Sequence, residues 1–67
     1  MEITINQKTK HIPEQTSIAQ FLQEFIPGNQ QGIAVAINNT VVVKTMWNHH
    51  IINPHDHILI INATQGG

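Results

Sequence analysis

The chain opens on Met1-Glu2-Ile3-Thr4-Ile5, in which apolar and polar positions alternate. That period of two is the pattern of a strand with one buried face. Asn6-Gln7-Lys8 supplies turn residues, and residues 9–12 can return as a second, weaker strand, which predicts a hairpin. Pro13 cannot donate to a ladder, so the second strand should end before it.

The period then changes. Ile18, Phe21, Leu22 and Phe25 fall at i, i+3, i+4 and i+7, a single apolar stripe on a helix. Thr16 or Ser17 can cap it by accepting from the orphan amides of the first turn. Ser17 with Gln20 has the spacing of a capping box. Pro27-Gly28 ends the helix, because the residue before proline avoids the helical region and glycine tolerates a left-handed one.

After a polar stretch, residues 33–37 read Ile-Ala-Val-Ala-Ile, apolar on both faces. Such a run suits an interior strand. Asn38-Asn39 can take positive φ in a tight turn, and Val41, Val42 and Val43 return as the hairpin mate. Trp47, Ile51 and Ile52 are spaced by polar residues and predict an irregular segment. Asn53-Pro54-His55-Asp56 is a turn, and residues 58–61 form a last, central strand. Residues 1–63 make one domain, and 64–67 predict a flexible tail. One helix must cover one face of a mixed sheet of four to five strands, an α+β arrangement. The first and last strands are both strongly apolar and should pair side by side in the centre.

Composition sharpens this picture. Ile and Val dominate the apolar set, with only Leu22 and Leu59 as leucines, and stiff β-branched side chains favour sheets. At 67 residues the chain has room for one small domain. A pocket of about 300 Å³ or more is hard to carve from so small a core, which favours a carrier or binding role over an enzyme. Charged residues are 10% and the net charge is −1, with no Lys/Arg cluster for a nucleic-acid surface. No cysteine is present, which excludes disulfides, thiolate metal sites and a cysteine nucleophile. No run has the length of a membrane span, and no secretory signal opens the chain; a cytoplasmic setting is the expectation.

These segments together resemble the ThiS family of sulfur carriers of thiamine biosynthesis, which have a ubiquitin-like β-grasp fold. The resemblance covers essentially the whole chain. It rests on Thr16 opening a helix with Leu22, on Ala36-Ile37-Asn38 with Val41-Val42 beyond the turn, on Trp47, and on Asp56-His57-Ile58 leading to Gly66-Gly67. The chain departs from the family pattern at two places. Val43-Lys44 stand where Pro-Arg is common, which replaces a guanidinium fork by an ammonium. His55 stands where glycine is usual, which predicts a different turn, since His is costlier than Gly at positive φ.

The resemblance implies that the chemistry lies on the Gly67 carboxylate. A ThiF-like adenylating enzyme would convert it to an acyl-adenylate with ATP and Mg²⁺, so this chain binds no cofactor itself. A sulfur donor protein would then displace AMP, leaving a thiocarboxylate for a thiazole synthase resembling ThiG. Gly66 and Gln65 would thread the partner's active site, where a residue without Cβ lets the backbone approach a phosphate. The chain is then a co-substrate with no catalytic residue of its own. Related readings are the small subunit of molybdopterin synthase, a family whose members are usually longer, and a ubiquitin-like modifier.

Four further candidates remain. The sheet face that the helix leaves uncovered should be an apolar partner-docking surface, with Val42 and Ile60 on it. His49, His50, His55 and His57 lie close in sequence, but their spacing is not that of a zinc motif, and they are read as solvated loop histidines rather than metal ligands. Trp47 either fills the core or anchors a partner, with the core preferred. Asp56 reads as a turn residue bonding local amides.

Overall fold

A computed structural model describes residues 1–28 and 32–62. The strands are β1 (Glu2–Ile5), β2 (Lys8–His11), β3 (Ile33–Ile37), β4 (Thr40–Val42) and β5 (His57–Asn62). One helix, α1 (Ile18–Phe25), lies between β2 and β3, and a 3₁₀ turn (Lys44–Met46) follows β4. The sheet order is β2-β1-β5-β3-β4. β1 and β5 run parallel at its centre, and the other pairings are antiparallel.

Both hairpins are two-residue turns, set by the Ile5↔Lys8 and Ile37↔Thr40 registers. Their central residues all have positive φ: Asn6 and Gln7 at 47° and 70°, Asn38 and Asn39 at 51° and 72°. That is the turn whose twist matches paired strands, and asparagine tolerates it because its short amide bonds locally.

The helix closes as its capping box predicts. The Ser17 Oγ accepts from Gln20 N at 3.1 Å, and Ser17 N donates to Gln20 Oε1 at 2.9 Å. The next two amides are satisfied from elsewhere: Ile18 N donates to His50 O and Ala19 N to Trp47 O, both at 3.0 Å. The segment around Trp47, expected to be irregular, therefore serves the helix, filling two of the acceptor places an isolated N-terminus leaves to water. Beyond α1, Gly28 sits at φ +100°, a conformation strained for any side chain.

The core lies between α1 and one face of the sheet. Ile3, Ile5, Val35, Ile37 and Ile58 meet Ile18, Phe21 and Leu22, with Ile12, Trp47 and Ile52 closing the sides. Phe25 departs from the expected stripe: it is 41% exposed and stacks on Phe21 with ring centroids 5.2 Å apart. As the last helical residue it projects toward the β1–β2 turn instead of the core, lining a surface hollow with Ile5, Lys8 and Lys10.

Trp47 is a core residue, 5% exposed. Its indole Nε1–H donates to Val42 O at 2.9 Å, so the ring is buried while its polar end is bonded to the edge strand β4.

Candidate functional site

Residues alternate sides along a strand, so register decides which apolar residues face the helix. Val35 is opposite both Val42 and Ile60, and Val35 is buried in the core. Val42 and Ile60 consequently point at the helix side, half-buried against the core cluster. This corrects the expectation that they lie on the uncovered face. A run apolar on both sides carries no mark of which set points inward; one residue of register exchanges the two.

The uncovered face carries the alternate set. Ala36 is opposite Val41 and Leu59, and Ala34 is opposite Ile61. Val41, Leu59 and Ile61 are 64%, 46% and 45% exposed. Ala36 is covered by its larger neighbours and floors a shallow hollow of about 420 Å³ bordered by Thr4, His57, Leu59 and Asn39. Surface hollows of this volume exceed what the short chain suggests; they open on the exterior and are not carved from the core. The face grades from polar to apolar: Thr4 and Thr9 pair across β1–β2, His57 pairs with Thr4, and the aliphatic set begins at Leu59.

β5 enters the sheet under tight local control. The Asp56 carboxyl, 7% exposed, accepts from Asn53 N at 2.8 Å and from the Asn38 side-chain amide at 3.0 Å. Asn38 Oδ1 in turn accepts from His57 N at 3.0 Å. The local amide bond fits Asp56 read as a turn residue; the tie to the β3–β4 turn joins positions 18 residues apart and has no local signal. His55 takes φ +68°. The turn thus keeps the left-handed conformation that glycine would favour, contrary to the expectation of a different geometry. His55 N donates to Glu2 O at 2.7 Å, which helps hold the conformation in place.

Past Ile58, β5 outruns β1. Asn6 N donates to Ile58 O, and Asn6 Oδ1 accepts from Ile60 N, both at 2.9 Å. Asn6 is thus part of the site's framework, although its sequence context marks it only as a turn residue. Gln65, Gly66 and Gly67 lie outside the described residues. Among the described residues no three or more His, Asp or Glu gather where they could hold a metal ion. No described helix is long and apolar enough to cross a membrane.

A mixed sheet with its first and last strands parallel at the centre, crossed on one face by a single helix, defines the ubiquitin-like β-grasp class. A crystal structure of a thiamine biosynthesis protein (ThiS) from Geobacter metallireducens shares this fold, with TM-score 0.88, 17% identity and 100% of both chains covered. The sulfur carrier protein ThiS of Escherichia coli (strain K12) is 28% identical over 67 residues, 100% of each chain. The ThiS family model matches residues 1–67, and the chain belongs to that family of small sulfur carrier proteins, which are not enzymes.

Proposed function

We propose that this chain carries sulfur for formation of the thiazole of thiamine, as a protein co-substrate in the cytoplasm. Family membership over residues 1–67 carries the reading. The central position of β5 supports it, because the strand that ends the described chain is held by neighbours while it leads toward Gly66-Gly67.

A Gly67 carboxylate oxygen attacks the α-phosphorus of ATP in a ThiF-like adenylating enzyme, whose Mg²⁺ assists departure of pyrophosphate. A sulfide equivalent from the donor protein attacks the acyl carbon, and AMP leaves with the oxygen. The resulting thiocarboxylate, nucleophilic at neutral pH, passes its sulfur to thiazole synthase. Gly66 and Gln65 occupy the partner's channel, while the face formed by Val41, Leu59 and Ile61 docks on it. An exposed aliphatic patch on so small a domain suits a partner surface.

Intact mass spectrometry tests the chemistry. Incubation with the cognate adenylating enzyme, ATP, Mg²⁺ and sulfide should raise the mass by the difference between sulfur and oxygen. Chains lacking Gly67, or extended beyond it, should show no gain. Gain of sulfur by the extended chain would rule out the terminal carboxylate. A stable complex with a larger synthase subunit would favour the molybdopterin reading, and lysine-linked adducts the modifier reading.

A further inference from the structure

We propose that Asn6 is a positioning residue that sets where the C-terminal half of β5 leaves the sheet, and hence the point from which the chain continues toward its reacting end. The inference rests on the sulfur-carrier reading above.

The backbone ladder between β1 and β5 pairs Thr4 with His57 and Ile5 with Ile58, yet β5 continues to Asn62. In a parallel ladder the next donor, Ile60 N, would seek the main-chain carbonyl of Asn6. There the hairpin diverts the backbone, with Asn6 at φ +47°. The Asn6 side-chain oxygen takes the acceptor's place at 2.9 Å, across 54 positions of sequence. One residue therefore performs two tasks: its backbone makes the left-handed turn and holds Ile58 O, and its amide oxygen holds Ile60 N.

The tether carries the support that β1 gives β5 beyond the Ile5↔Ile58 pair. β3 pairs with β5 through Ile33↔Asn62, but Ile33 begins its strand directly after Gly32, at φ +75°. The Asn6 contact ties β5 at Ile60 to the β1–β2 hairpin. A carrier whose reacting atom lies seven residues beyond Ile60 gains from a fixed point of departure.

Two variants separate the tasks. Asn6→Gly keeps the positive φ and removes the acceptor; Asn6→Asp keeps both. In Asn6→Gly, exchange of the Ile60 amide should accelerate about 3- to 10-fold, the effect of one lost hydrogen bond, with helix amides unchanged. With the adenylating enzyme, ATP, Mg²⁺ and sulfide, thiocarboxylate turnover by Asn6→Gly should fall several-fold at an unchanged half-saturating concentration. Asn6→Asp should restore both readouts. Wild-type turnover by Asn6→Gly, a change in half-saturation alone, or no rescue by Asp would overturn the positioning role. Failure of the wild-type chain to gain sulfur would instead remove the carrier reading itself, and this inference with it.

Discussion

His55 shows what a single position can carry. It holds φ +68° in the turn that feeds β5, and left-handed backbone costs a side chain on the order of 1–2 kcal/mol. A β-branched residue tolerates it worst. His55→Val should therefore be less stable than His55→Gly by about 1–2 kcal/mol, read from denaturant midpoints. Equal midpoints would show that the turn relaxes out of the left-handed region. The His55 amide also donates to Glu2 O, which ties the turn to β1. At the same scale Trp47 resolves the choice its sequence leaves open, because its indole bonds Val42 O inside the core.

At the scale of elements, α1 depends on both its own sequence and a distant segment. Ser17 and Gln20 supply the reciprocal cap, while Trp47 and His50 carbonyls take the next two amides. Ser17→Ala should cost about 1–2 kcal/mol, since Ser17 is buried and water cannot easily replace the lost acceptor. A thermal midpoint unchanged by Ser17→Ala would mean that the Trp47 and His50 carbonyls suffice. The capping box was legible because it is a three-residue spacing. The segment 47–52 was not, because its order comes from bonds to the helix start, including Ile52 N to Thr16 O at 2.8 Å. Phe25 fits the helical stripe in sequence yet lies past the edge of the core, since periodicity fixes a direction around the helix axis but not how far the sheet extends beneath it.

At the scale of the whole molecule, one helix on a five-stranded sheet leaves a face uncovered, and the register decides its composition. Leu59→Asp should weaken binding to the adenylating enzyme at least tenfold and leave the unfolding midpoint close to wild type. Val42→Asp should behave in the opposite sense at the level of folding, losing about 2 kcal/mol or more because a carboxylate would replace a core contact. Calorimetric binding beside thermal unfolding reads both. Full binding by a folded Leu59→Asp protein would show that the partner docks elsewhere.

Much of this protein was set by local sequence alone. The alternation in β1, the helical stripe from Ile18 to Leu22, the capping spacing and the two asparagine-bearing turns act over a few residues, and each appears in the fold. The side-by-side pairing of the terminal strands also followed, from their shared apolar character. Three features were decided only by tertiary structure. Which side of β3, β4 and β5 faces the helix depended on register, because runs apolar on both sides are indifferent to it. The tie of Asp56 to Asn38 and the tether of Ile60 to Asn6 join residues far apart in the chain. A side chain's local context records its capacity to accept a hydrogen bond, but only the folded chain brings the distant donor to it.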